Sequence, residues 1–303
     1  MLRDSGPGPK PEPEPKPESG LQSRLRRLGF RHLAAVAVVA AGTTMLLGVY
    51  TAGVGAGLAC GTRWPFCDGA VFGLFPANWP SFWEWFHRLV AMATGGVLVG
   101  TAVAAWRTGQ SPRIRGATTL AVVLLPVQVG LGAVTVRIEG LFPWGYSPPV
   151  QALHFLTALS IFTLLVTTVV LAFAPGRDRG RQALLAAAAL IPAAALFSYG
   201  TVFVYTPAVQ AVHYGLSVLA YALVVLAAVR GRTPARRRLA GGAALAFAVT
   251  MLLGRRLLGT LEPLYADATT GVAVALLLAA AWLARRGSAT GDAGPVADPW
   301  ESD

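Results

Sequence analysis

The segments PPVQALHFLTALS (148–160) and TPAVQAVHYGLSV (206–218) decide how this chain folds. Both hold a proline, a Val-Gln-Ala step, a histidine (His154, His213) and a small residue four positions later (Ala158, Ser217). Each also opens an uncharged apolar run, so one helical unit is repeated in the two halves of the chain. A third histidine, His87 in EWFHRLVA, again has a small residue, Ala91, four positions on. One helical turn beyond an imidazole, a small side chain leaves room for a flat ligand or a second helix.

Outward from this pair the apolar runs continue in both directions. Eight of them, approximately 33–53, 84–106, 117–136, 150–174, 182–204, 208–229, 239–259 and 264–284, are long enough to cross about 30 Å of hydrocarbon at about 1.5 Å per helical residue. Backbone groups in lipid must bond within their own segment, so runs of this length are helices rather than barrel strands. The seventh carries Arg255 and Arg256 in its last turns and must end early or let them snorkel to the surface. The 303 residues are 54% hydrophobic and 13% charged, with mean hydropathy +0.56. A soluble domain carries about 25% charged residues, so the composition argues against a soluble enzyme.

The expected fold class is therefore all-α: an integral membrane protein with eight transmembrane helices arranged as two pseudo-symmetric four-helix bundles. The expected division is a disordered tail at 1–30, a first half at 31–175, a second half at 176–286 and a disordered tail at 287–303. The runs PGPKPEPEPKPESG (7–20) and GSATGDAGPVADPWESD (287–303) lack the apolar content to pack a core. The start does not read as a signal peptide, because the first apolar run begins only at Leu33.

The net charge of +11 raises nucleic acid as a partner until the basic residues are placed. Of the 25 Lys and Arg, only Arg63, Arg88, Arg137, Arg255 and Arg256 fall on one side of the expected helices, and the rest fall on the other. By the positive-inside rule both termini are cytoplasmic and the protein sits multi-pass in the cell membrane. The surplus charge is then a topology signal, and nucleic acid is not expected to bind.

Polar residues at membrane depth cost roughly 2.5 to 3.5 kcal/mol each at a helix centre, so their positions are informative. His87, His154 and His213 fall at equivalent depth near the outer starts of the second, fourth and sixth helices, whereas His32 lies in the basic approach to the first. Two imidazoles from different helices can meet opposite faces of a porphyrin held in an apolar slot. The plainer alternative is that each histidine only hydrogen-bonds near the interface. Zinc is disfavoured, since the histidines lack the close His or Cys spacing of zinc sites.

Glu84, three residues before His87, shares its helical face and either relays protons or is solvated at the interface. Cys60 and Cys67 lie on the oxidising side, where they form a structural disulfide or a redox pair. Trp64, Trp79, Trp83, Trp85 and Trp144 read as interfacial aromatics. Arg88, Arg137, Arg255 and Arg256 are candidates for binding propionates or, equally, lipid headgroups. Gln128, Gln151 and Gln210 are candidates for cross-linking helices.

The run GVYTAGVGAGLAC (48–60), then WPFC (64–67), EWFHR (84–88), Gln128 in QVGLGAVTV and VQALH (150–154) resembles the haem A synthase family, Cox15/CtaA. The resemblance extends over about residues 42–230. It implies the eight-helix, two-bundle fold and an enzyme that oxidises the C8 methyl of haem O to the formyl of haem A, by successive hydroxylations and loss of water from a geminal diol. It implies that His87 and His154 receive substrate haem O, that Glu84 is the catalytic carboxylate and that Cys60 and Cys67 are the outer-loop pair. It implies that His213 is one iron ligand of a haem b cofactor. A haem O synthase, terminal oxidase assembly and membrane lipid follow as partners, and a homo-oligomer is compatible.

The sequence departs from the family pattern at the start of the eighth helix, where EPLYADATTGVAVALLL (262–278) places Asp267 at the position of the fourth histidine. Asp267 is the candidate second residue of the cofactor site, as a weak ligand or through a water. A haem-binding electron carrier or assembly protein without the oxidation chemistry is the alternative function. A transporter is disfavoured because the polar residues gather at one end rather than the midplane.

Overall fold

A computed structural model describes residues 20–61, 66–67, 70–71, 75–76, 78–137, 147–173, 179–198, 201–231, 233–253 and 262–289. Eight helices follow in order: α1 (Gly20–Gly53), α2 (Trp79–Arg107), α3 (Pro112–Arg137), α4 (Pro148–Ala172), α5 (Arg179–Ala195), α6 (Pro207–Arg230), α7 (Pro234–Leu253) and α8 (Glu262–Ala289). Between α1 and α2 a two-residue antiparallel ladder pairs β1 (Ala70–Val71) with β2 (Phe75–Pro76).

Polar caps followed by proline set several helix starts. Asn78 accepts from the Ser81 N–H at 2.8 Å before α2, and Thr206 accepts from the Val209 N–H at 3.3 Å before α6. Both relieve backbone donors that the first turn leaves unpaired, while the adjacent prolines have no donor to lose. Thr233 accepts from the Arg236 N–H in the same way at α7. Gly109, at φ 60°, makes the tight turn between α2 and α3 that other residues adopt at a cost.

Three boundaries differ from the sequence expectation. Residues 20–30 belong to α1 and not to the tail, because LQSRLRRL is rich in the good helix formers Leu and Arg. α8 likewise runs to Ala289, past the expected tail boundary at 287. α5 is 17 residues long and stops at Ala195, well before the expected 204. Pro192 lacks the N–H to bond within the helix, and Phe197 and Ser198 turn back onto the carbonyls of Ala194 and Ala195 at 3.0 Å each.

Five helices are long and apolar enough to cross a membrane among the described residues: 29–53, 79–107, 112–136, 149–172 and 207–230. Five of the eight expected spans therefore meet that length and apolarity among the described residues. α5 is too short, and α8 contributes only the shorter apolar stretch Thr270–Trp282. α7 has its first turn taken up by Arg236, Arg237 and Arg238. The all-helical, multi-pass membrane class holds.

Among the helix neighbours, α1 lies against α2 and α4, and α3 lies against both α2 and α4. α6 lies against α5 and α7, and α8 lies against both α5 and α7. α1 with α6, α4 with α6 and α4 with α7 join the two groups. The continuous core runs through this junction, with Phe155, Phe162, Leu165, Tyr214, Val224 and Leu277 buried. Thr163 and Tyr221 share a hydrogen bond of 2.9 Å across α4 and α6, and the Tyr214 hydroxyl donates to the Met251 carbonyl of α7 at 3.3 Å.

The two ends differ chemically. At one, Phe30, Ala34, Ala105, Ile114 and Ala172 cluster where α1 and α3 start and α2 and α4 finish, and Arg31 lies over the Phe173 ring. Arg230 donates to the carbonyls of Val170 and Phe173 there, at 2.7 Å each. At the other end the close of α1 meets the starts of α2 and α6, through Tyr50 against Trp83 and Gly53 against Gln210 and Pro207. The expected tails at 1–19 and 290–303 lie outside the described residues, as do Arg63, Trp64, Trp144, Arg255 and Arg256.

Candidate functional site

His87, His154 and His213 stand about 9 to 12 Å along α2, α4 and α6 from the helix starts, given about 1.5 Å per residue. The His87 ring lies against Gly48 of α1, where an added methyl would come 3.0 Å from Cε1 and 3.4 Å from Nε2. The His154 ring lies against Gly132 of α3, where the same methyl would come 3.2 Å from Cε1. Each of these two imidazoles is thus cradled by a glycine of an odd-numbered neighbouring helix.

Their polar contacts are unequal. His87 Nδ1 is buried with no hydrogen-bond partner among the described residues, a demand that an incoming polar or metal-bearing ligand can answer by reorienting the ring. His154 Nε2 lies 3.2 Å from Gln128 Nε2 of α3. An amide nitrogen only donates, so Nε2 is the acceptor and the proton sits on Nδ1. Gln128 therefore does cross-link helices, and it does so onto the site histidine.

His213 is oriented differently. Its Nδ1 lies 2.8 Å from the Ala194 carbonyl, one of the last carbonyls of α5, and donates to it. That fixes the tautomer and leaves Nε2 as the lone-pair atom, the usual second contact of a metal-binding imidazole. Asp267 falls in the first turns of α8, and its side chain lies outside the described residues.

Glu84 is almost wholly buried, with 3% of its surface exposed. Its carboxylate accepts from the Cys60 backbone N–H at 2.5 Å and from the Arg88 guanidinium. Arg88 also donates to the Gly61 carbonyl at 2.7 Å. Cys60 and Cys67 are joined as a disulfide. The carboxylate thus holds the start of the disulfide loop to α2, one turn from His87. Arg88 is committed to this network, and the side chain of Arg137 lies outside the described residues.

Beneath the disulfide the aromatics form a packed floor. Trp85 is 8% exposed and clusters with Cys60, Cys67, Phe82 and Phe86. This corrects its reading as an interfacial aromatic: Glu84 and Trp85 both turn inward because the loop folds back over the start of α2. Trp79, 62% exposed, keeps the interfacial character. The i,i+4 spacing of Glu84 and Arg88 was the available signal for their ion pair. Gly48, Gly132 and the Ala194 carbonyl had none, because only tertiary packing brings them to the histidines.

Fold and site together define a polytopic helical membrane protein with imidazoles buried between helices beneath a disulfide-closed loop. Residues 74–205 match the family described as COX15-CtaA, cytochrome oxidase assembly protein. Through that segment the chain is similar to the Cox15/CtaA family. It is 38% identical over 146 residues to the protoheme IX farnesyltransferase of Halobacterium salinarum, covering 48% of this chain and 30% of that protein. It is 33% identical over 136 residues to the heme A synthase of Alkalihalophilus pseudofirmus, covering 44% and 43%, and 26% identical over 178 residues to that of Bacillus licheniformis, covering 58% and 56%. The matches therefore span between about a third and a little over half of those relatives' own lengths.

Proposed function

We propose that this protein is a haem A synthase, oxidising the C8 methyl of haem O to the formyl group of haem A for terminal oxidase assembly. The observation that carries the reading is the pair His87 and His154, on separate helices at similar depth, each seated against a glycine of a neighbouring helix. The residues fit a porphyrin's iron: His87 Nδ1 is buried without a hydrogen-bond partner among the described residues, and the His154 ring is met by the Gln128 amide, which a ligand can exchange. His87 and His154 would hold substrate haem O, apolar faces of α1 to α4 would exclude water, and the Glu84 carboxylate would accept protons beside the reacting group. The relatives named heme A synthase support the activity, and the relative named protoheme IX farnesyltransferase supports a link to haem O supply.

In this reading the helix neighbours form two pseudo-symmetric four-helix bundles, 31–175 for substrate and 176–286 for a haem b cofactor that supplies electron transfer. His213, oriented by Ala194, and Asp267, as a weak ligand or through a water, would be the residues that hold that haem. Both termini would be cytoplasmic and both haem sites near the outer face, since the arginine-rich helix ends lie away from the histidines. A haem O synthase and the terminal oxidase assembly machinery would be its partners, and a homo-oligomer is compatible with the exposed faces.

A second reading, a haem-binding electron carrier or assembly protein without the oxidation, is favoured by Asp267 standing where a histidine is expected. Co-expression with a haem O synthase in a host that makes no haem A separates them, with extracted haems resolved by chromatography. The formyl haem is the expected product. Accumulation of haem O alone, with haem still bound to the purified protein, overturns the enzyme reading in favour of the second. Single replacement of Glu84, His87 or His154 by Ala should abolish product, while His213→Ala should chiefly alter the haem spectrum.

A further inference from the structure

At the arginine-rich end of the molecule, away from the histidines, α3, α4, α6 and the start of α7 enclose an open cleft of about 480 Å³. Its walls are apolar along α3 and α4 (Ala117, Leu120, Leu164, Leu171), and its mouth carries Arg113 and Arg237. Arg237 is built in place: its Nε donates to the Gly231 carbonyl at 2.7 Å, and its stem crosses Gly231 so closely that an added methyl would lie 2.8 Å from Cγ. Only glycine permits that approach. Arg113 lies in the first turn of α3 and Arg237 in the first turns of α7, so two helix N-termini add their positive dipole ends to the two guanidinium groups. Among the described residues no carboxylate pairs with either arginine; Arg88 and Glu84, the one ion pair they contain, lie at the opposite end.

We propose that this cleft binds an anionic phospholipid, with its phosphodiester between Arg113 and Arg237 and an acyl chain along Leu120, Leu164 and Leu171. Charge and shape point to the same occupant. An ordinary zwitterionic lipid would bring a cation to a site already carrying two, whereas phosphatidylglycerol brings net negative charge. A free phosphate would leave the apolar wall, with Leu120 49% exposed, uncovered. The cleft opens beside α3, whose spanning segment is the least buried of the five, so a lipid reaches it sideways from the bilayer. The proposal is independent of the haem chemistry and uses none of its residues.

Native mass spectrometry of the full chain, purified in mild detergent and offered equimolar phosphatidylglycerol and phosphatidylcholine, tests it. The expected result is at least tenfold preferential retention of phosphatidylglycerol, lost in Arg113→Gln/Arg237→Gln. Arg179→Gln/Arg238→Gln, which removes the same charge from exposed positions at this end but outside the cleft, should keep the preference. Equal loss in both double variants would mean general surface attraction and would overturn the site. Leu164→Trp fills the cleft without changing charge, and should remove bound lipid while the protein remains monodisperse by gel filtration. Undiminished retention in that variant would also overturn the proposal, as would binding of inorganic phosphate in competition with the lipid at similar concentration.

Discussion

The Cys60 backbone N–H donates to Glu84 Oε2 at 2.5 Å, tying the first cysteine of the disulfide loop to the helix that carries His87. The same carboxylate accepts from Arg88, whose side chain is 13% exposed against 4% for Glu84. One acid thus satisfies a loop amide and a nearly buried cation together, and the loop closes over α2 as a consequence.

Replacing Glu84 by Ala leaves both donors without that acceptor in a dry environment. Removing one partner of such a pair typically costs about 3 kcal/mol or more, because the remaining charge stays buried. Glu84→Ala is expected to lower the unfolding midpoint of the detergent-solubilised protein, and Arg88→Met, which strands the more buried carboxylate with only the Cys60 N–H to bond it, should lower it as well. Equal midpoints for Glu84→Ala and wild type would show that the network contributes nothing to the fold.

The disulfide closes a loop of few residues, and chain-entropy arguments give roughly 2 to 3 kcal/mol for short loops. Trp85 packs beneath it. Cys60→Ser/Cys67→Ser should therefore destabilise by about 2 kcal/mol and expose this indole. Comparison with Trp85→Phe isolates its signal among the eight tryptophans. A red shift and greater acrylamide quenching of the Trp85 component are expected on removing the bridge, and unchanged quenching would separate the indole from the loop.

How far the sequence carried the fold depends on which contacts were local. The long uncharged runs, the Pro-opened helix starts and the repeated histidine context are properties of adjacent residues, and α2, α4 and α6 fall close to where those signals placed them. Apolar content continues past Ala195, whereas α5 ends there because Phe197 and Ser198 turn back onto the carbonyls of Ala194 and Ala195, a closure that hydrophobicity does not encode. Trp85 reads as interfacial in the sequence because hydrophobicity alone does not say whether an aromatic near a helix start faces lipid or lies under a loop. The histidines were legible as candidates, but their glycine cradles and the amide on His154 depend on which helices adjoin.

The cradles predict opposite signs for chemically identical substitutions. Gly48→Ala and Gly132→Ala put a methyl 3.0 and 3.2 Å from imidazole Cε1 atoms, tighter than ordinary contact, so the rings must move. Overpacking of this kind costs about 1 to 3 kcal/mol. Gly95 and Gly96 of α2 have nothing within 4 Å of an added methyl, and there Ala should be neutral or stabilising by up to about 1 kcal/mol through the unfolded chain. Thermal unfolding checks the contrast. Destabilisation of similar size at all four positions would mean that helix spacing, and not the imidazoles, sets the tolerance.

Across α4 and α6, the Thr163 and Tyr221 hydroxyls meet at 2.9 Å between the two groups of helices. Hydrogen bonds between transmembrane helices average about 0.6 kcal/mol, because an unfolded chain in lipid finds other partners. Thr163→Val and Tyr221→Phe should each cost less than about 1.5 kcal/mol, with a coupling of about 0.6 kcal/mol in the double variant. Strict additivity would show that the contact does not join the two groups energetically.

Gln128 offers the sharpest test of the site. Its amide donates to His154 Nε2, the atom an iron-bound porphyrin would take, so ligand binding has to exchange that hydrogen bond for a metal bond. A net intramolecular hydrogen bond is worth about 1 kcal/mol, close to a fivefold change in equilibrium constant. Gln128→Leu removes the competing donor at similar volume and is expected to bind haem roughly fivefold more tightly, read by spectral titration of the purified apoprotein. Gln128→Glu keeps a polar group but accepts instead of donating, which favours the tautomer protonated on Nε2 and should weaken binding. If Gln128→Leu also weakens binding, the amide serves to aim the ring and does not compete for it, and His154 must engage its ligand with Gln128 still in place.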